Sequence, residues 1–242
     1  MAEQPDLFGP GVAEAAALAV ITPVADACAE LRERFTAGGM AALDEGDTLA
    51  LILARCLRPG ANATHAADAL MARFGGVASV FGAPEPELAR VIGRDAAREL
   101  GLLHGLLLRL LEHPLRQRPL LSSHEAVKTY LRARLAALPR EVFHVLFLDK
   151  RNQLIADERL GVSTVDHAPV YPREVARRAL ELSASAILLA HNHPSGCADP
   201  SRADVDMTKQ VADAMRTLQI TVFDHFIVAG DQVLSFRAQG LM

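Results

Sequence analysis

LLAHNHPSGCADPSRAD, residues 188–204, sets two histidines at the end of a short apolar run and an acid a little further on. In an extended chain side chains two apart share a face, so His191 and His193 point one way and Asn192 the other. Pro194-Ser195-Gly196 reads as a turn that can reverse the chain. Ser201 with Asp204 three residues later reads as a helix N-terminus, serine as cap and acid at the third helical position. Ala186–Ala190 is a short buried strand on this reading and Ser201–Leu218 a helix. The reversal between them returns the helix start to the side of the histidines.

That arrangement suits a metal. Imidazole is a good zinc ligand, and a catalytic zinc commonly takes three protein ligands and a water. His191 and His193 supply two, and the third should be a nearby acid. Asp204 is the candidate, Asp199 is an alternative from the loop, and Cys197 is a neighbouring thiol read as a spectator. Ser195 reads as a turn residue. The capping box alone needs no metal, but the combined pattern H-x-H-x7-S-x2-D is specific. Other readings fail on mechanics. The three named residues of HNH nucleases are spread over a ββα unit, and three consecutive residues cannot take their places. His124-Glu125 begins H-E-x-x-H, but Lys128 stands where the second histidine must be. Zinc deaminases need H-x-E and P-C-x-x-C, which the chain lacks.

Outward from this stretch the hydrophobic period changes once. Up to about residue 135 it is helical, over Val12–Ile21, Ala25–Phe35, Asp47–Cys56, Ala63–Phe74, Glu85–Ile92, Ala96–Leu111 and Ser123–Leu135, with Asp47 and Ser123 as caps. After Pro139, Val142–Leu148 and Leu154–Leu160 read as strands about a turn at 150–153, followed by a helix over Pro172–Leu182. Beyond the quoted stretch come strands at Ile220–Val228 and Val233–Phe236. The chain is therefore expected to be α/β (α+β), with a helical region at 1–115, a linker near 113–122, and a mixed sheet flanked by helices at 123–242.

Composition limits the function classes. The 242 residues are 50% hydrophobic and 22% charged, with no tryptophan, so the core is aliphatic. A net charge of −4 predicts no strong general affinity for nucleic acid. The local exception is 101–140, where seven bases stand against Glu112 and Glu125. Three scattered cysteines, Cys28, Cys56 and Cys197, do not form a disulfide framework. No secretory leader is read at the start, and no apolar run reaches the roughly 18 residues of a membrane span. The expected compartment is cytoplasmic.

H-x-H-x7-S-x2-D is the JAMM motif of MPN-type metallopeptidases. With its flanks, VYPREVARRALELSASAILLAHNHPSG and PSRADVDMTKQ, the chain resembles the bacterial RadC family, historically called DNA repair proteins. The resemblance covers roughly 123–240 closely and the helical half weakly. It implies a cytidine-deaminase-like sheet, Zn²⁺ on His191, His193 and Asp204, and Glu141 as general base, with Glu158 the alternative. It also implies an oxyanion-stabilising role for Ser201, and hydrolysis of an amide or isopeptide bond in a peptide or protein substrate. Family members carry a glycine-rich helix-hairpin-helix in the helical half. Here the matching stretch, LARVIGRDAARELGLLHG, keeps only Gly93 before the second helix, so DNA contact through it is expected to be weak. Asp224-His225 resembles the family's DHIIVG segment, and His225 reads as a structural histidine, with support of a metal ligand from behind as the alternative. The competing readings are a DNA-associated accessory protein that uses the JAMM domain as a scaffold, and a silent scaffold that has lost its chemistry.

Overall fold

The computed structural model describes residues 27–120, 124–162 and 170–242. The helix expected at Val12–Ile21 and the Ser123 cap lie outside them. The chain divides into two compact units, Met1–Ala67 and Asp68–Met242.

In the first unit, α1 (Ala27–Gly38) leads through a 3-10 turn at Gly39–Ala42 to α2 (Glu45–Cys56). The cap of α2 is Asp44, not Asp47 as the sequence suggested. Asp44 Oδ1 accepts from Asp47 N at 2.7 Å, and Asp47 Oδ2 accepts in return from Asp44 N at 3.3 Å. Asp47 is thus the reciprocal member of a capping box.

The second unit begins within α3 (Ala63–Phe74) and continues through α4 (Val77–Gly82), α5 (Glu85–Ile92), α6 (Arg94–Gln117) and α7 (His124–Leu135). Gly93 alone joins α5 to α6, at a φ of 81° that favours glycine. α6 runs past Leu111 and through Pro114 into its last turn, and Leu115 beyond the proline is fully buried. Leu115 and Leu120 belong to the core of this unit, so the stretch 113–122, where composition suggested a linker, lies within the second unit.

Five strands follow: β1 (Val142–Leu148), β2 (Leu154–Val162), β3 (Ala186–Asn192), β4 (Thr221–Ala229) and β5 (Gln232–Ser235). Two helices are interleaved, α8 (Pro172–Glu181) after β2 and α9 (Arg202–Thr217) after β3. The sheet order is β2-β1-β3-β4-β5, with β3 and β4 parallel and every other pair antiparallel. α9 is the crossover that a parallel pair requires.

Helices cover the sheet on both faces, which explains why β1 and β3 are buried along their whole length and mostly apolar rather than alternating. On one face Leu146, Leu188 and Phe226 pack with Leu131 and Leu135 of α7. On the other Val145, Ile187 and Leu189 pack with Val175 of α8 and Val211 and Met215 of α9. His191 continues the second face, and Asn192 the first. The end of β3, the start of β1 and the start of α9 therefore meet at one end of the strands.

Candidate metal centre

The loop after β3 turns as its sequence requires. His193 C=O accepts from Gly196 N at 3.1 Å, with Gly196 at φ 80°. His193 is held in line by its own N–H, which donates to Val228 C=O on β4 at 2.8 Å. Ser201 then caps α9. Its Oγ accepts from Asp204 N at 3.1 Å, and its own N and Oγ donate to Asp204 Oδ2 at 2.8 and 2.7 Å. The cap fixes the rotamer of Asp204 and engages Oδ2, which leaves Oδ1 turned to His191.

His191, His193 and Asp204 form a cluster whose donor atoms all lie within 4.8 Å of one another. Nε2 of His191 is 2.9 Å from Nε2 of His193 and 3.3 Å from Asp204 Oδ1, and His193 Nε2 is 3.6 Å from Asp204 Oδ2. A tetrahedral zinc with bonds near 2.0–2.1 Å separates its ligand atoms by about 3.3 Å, so the spacing fits. Cys197 and Asp199 stay outside the cluster. The Cys197 thiol lies 3.5 Å from Asp199 Oδ2, and Cys197 contributes its carbonyl oxygen, which accepts from His193 Nδ1 at 2.7 Å.

Electrostatics support a cation here. Burial pushes the Asp204 carboxyl up, but hydrogen bonds from His191, His193 and Ser201 overcome it and hold the group well below the usual carboxylate range. The hydrogen bond to Asp204 raises the His193 imidazole above its ordinary value, against the effect of burial. Two imidazole nitrogens facing each other at 2.9 Å repel unless a proton or metal ion lies between them.

Behind the ligands stand two residues whose partners the sequence did not reveal. His225 on β4 is fully buried, and its Nε2 lies 2.8 Å from His191 Nδ1. Its Nδ1 lies 2.6 Å from Thr208 Oγ1, which also lies 2.6 Å from Asp204 C=O. His225 therefore touches a candidate ligand directly, which favours the alternative of support from behind over a purely structural role. Burial, and then the neighbouring His191, push its imidazole well below the ordinary value. The sequence signal for Thr208 was its place four residues after Asp204, one turn along the same face of α9.

The two glutamates are placed differently. The antiparallel register pairs Phe143 with His191, and continued two residues it sets Glu141 level with His193. The Glu141 charge contributes to raising the His193 imidazole. Glu158 lies on β2 opposite Val145, and both its oxygens are taken by Arg178 of α8, at 2.5 and 2.6 Å. Asn192, on the other face, fixes the approach to Glu141. Its Oδ1 accepts from Val142 N at 2.8 Å, and its Nδ2 donates to Leu138 and Arg140 C=O, each at 3.1 Å.

A helix-flanked mixed sheet that sets two histidines at a strand end beside a helix-capping aspartate has the form of a JAB/MPN domain. The model of the RadC-like JAB domain matches residues 121–241. A UPF0758 protein of Rhodobacter capsulatus is 45% identical over 214 residues, which span 88% of this chain and the whole of that relative. The chain belongs to the RadC family.

Proposed function

We propose that this protein is a zinc-dependent hydrolase that cleaves an amide or isopeptide bond in a peptide or protein. The observation that carries the reading is the convergence of His191 Nε2, His193 Nε2 and Asp204 Oδ1 on one point. A zinc ion held there supplies a Lewis acid and makes water nucleophilic near neutral pH.

This chain's residues supply the rest. Glu141, beside His193, accepts the proton of the attacking water and returns it to the leaving amine. Asn192 steadies the backbone on either side of Glu141. Ser201 hydrogen-bonds the oxyanion of the tetrahedral intermediate, which requires its hydroxyl to turn away from Asp204 Oδ2. Glu158 is set aside as the base because Arg178 occupies both its oxygens.

The test compares zinc-loaded wild type with zinc-loaded Glu141→Gln on a mixed peptide and isopeptide library, read by mass spectrometry. Cleavage by the wild type that falls about 100-fold or more in Glu141→Gln supports the assignment. Equal product from both proteins refutes Glu141 as base. No cleavage of any substrate by zinc-loaded wild type counts against hydrolysis and favours the scaffold reading.

DNA contact is the second reading, and one observation favours it, the α5–Gly93–α6 pair. Against it, the outer face of α6 presents Leu102, Leu103, Leu106, Leu107 and Leu110, with Arg109 the one exposed base among them. In the basic stretch, Arg116, Lys128 and Arg134 already lie against Glu112, Glu125 and Asp157. A DNA affinity that falls steeply with salt would support this reading.

A further inference from the structure

We infer that Thr208 is a positioning residue for the metal site and acts through His225 to set which nitrogen of His191 carries the hydrogen. The inference deepens the hydrolase reading and rests on it only for the role of the metal.

The number of hydrogens available along Asp204, Thr208, His225 and His191 fixes the order. Asp204 C=O can only accept, and Thr208 Oγ1 lies 2.6 Å from it. The single hydroxyl hydrogen of Thr208 therefore goes to that carbonyl. Thr208 Oγ1 is then an acceptor toward His225 Nδ1, also at 2.6 Å, so His225 carries its hydrogen on Nδ1. His225 is fully buried against the Phe143 and Phe236 rings, where a charge with no acidic partner is costly. With its hydrogen on Nδ1, its Nε2 is the acceptor toward His191 Nδ1 at 2.8 Å. His191 therefore uses its Nδ1 hydrogen on His225, and Nε2 is the nitrogen turned to Asp204 Oδ1 and His193, where a metal would bind.

The reverse order fails at Thr208. If His191 carried its hydrogen on Nε2, His225 would have to donate from Nε2 and leave Nδ1 bare. Thr208 would then have to donate to Nδ1. Its oxygen would face the Asp204 carbonyl at 2.6 Å with no hydrogen between them, which is repulsive. The chain of bonds also joins two ligands by a second route. It runs from the Asp204 backbone through Thr208 and His225 to His191, and so ties α9, β4 and β3 together behind the site.

Long-range ¹⁵N–¹H correlation of the imidazoles in the metal-free full-length protein tests the order directly. The wild type should show His191 and His225 both with hydrogen on Nδ1. Thr208→Ser, which keeps the hydroxyl, should reproduce that pattern. Thr208→Val, which keeps the shape, should give mixed or reversed tautomers at both rings. Zinc affinity, read by competition with a chromogenic chelator, should fall roughly 10–100-fold in Thr208→Val and be restored in Thr208→Ser. A wild-type His191 with hydrogen on Nε2, or a Thr208→Val protein with wild-type tautomers, overturns the inference. A wild type with the expected tautomers that takes up no zinc supports the inference and refutes the hydrolase reading, so the two fail separately.

Discussion

At position 201 a single hydroxyl both starts a helix and steadies a candidate ligand. Ser201→Ala removes the acceptor for Asp204 N and one of the donors to Asp204 Oδ2, while the backbone donor remains. The expected cost is about 1 kcal/mol of stability, read as a lower denaturation midpoint at unchanged slope, together with weaker zinc binding. An unchanged midpoint would mean that the cap contributes nothing. That His191, His193 and Asp204 come together was legible in the sequence, because a strand end, a turn and a capped helix start follow one another directly. His225 and Thr208 were not legible as a pair, since they come from different elements and meet only when β4 lies beside β3 and under α9. Histidine next to Asp224 on a strand carries no signal of which ring it will face.

Among the elements, β1, α3 and α5 were legible to the residue, because each is a strongly patterned run between clear breakers. α6 was not, because Pro114 suggested an end. The proline sits in the final turns, where loss of one backbone donor is offset by burial of Leu115. α4 was missed because a six-residue helix is too short for its period to show.

The packing of α7 on the sheet also rests on a group that periodicity cannot show. Buried Asp157 of β2 accepts from Tyr130 OH of α7 at 2.6 Å and lies 2.7 Å from His144 Nδ1 of β1, with Arg134 Nε 3.3 Å away. Burial and the neighbouring Asp157 push the Tyr130 hydroxyl well above the usual phenol range. Burial raises the Asp157 carboxyl, but hydrogen bonds and charge from His144, with Tyr130 and Arg134, lower it below its ordinary value. A carboxyl depressed in the folded state stabilises the fold above its unfolded pKa of about 4, and that contribution is lost as the pH falls through the folded value. Asp157→Asn should therefore cost roughly 3 kcal/mol near neutral pH and flatten the acid side of the stability profile. A variant with the wild-type acid limb would show that Asp157 does not act this way. Asn192→Ala, which frees three backbone groups beside Glu141, should cost roughly 2 kcal/mol and lower hydrolysis more than zinc affinity.

For the whole molecule, the site joins the start of β1 and the end of β3 to the start of α9, so an ion bound there should stabilise the second unit as one piece. Free zinc at 100 times its dissociation constant should add about 2.7 kcal/mol, and chelation should remove it. Thermal unfolding with and without a chelator reads this, and His193→Ala should show no such difference. Among the described residues no helix is long and apolar enough to cross a membrane. The sheet and its helices followed from the sequence period. The division at 67/68 did not, because it falls inside α3, whose helical period runs across it. The central claim is that His191, His193 and Asp204 hold one metal ion. Its most direct test is the zinc content of purified wild type, His193→Ala and Asp204→Ala after reconstitution and removal of loose metal. The account predicts about one zinc per chain in the wild type and none in either variant. A wild type without zinc, or variants that keep it, would contradict it.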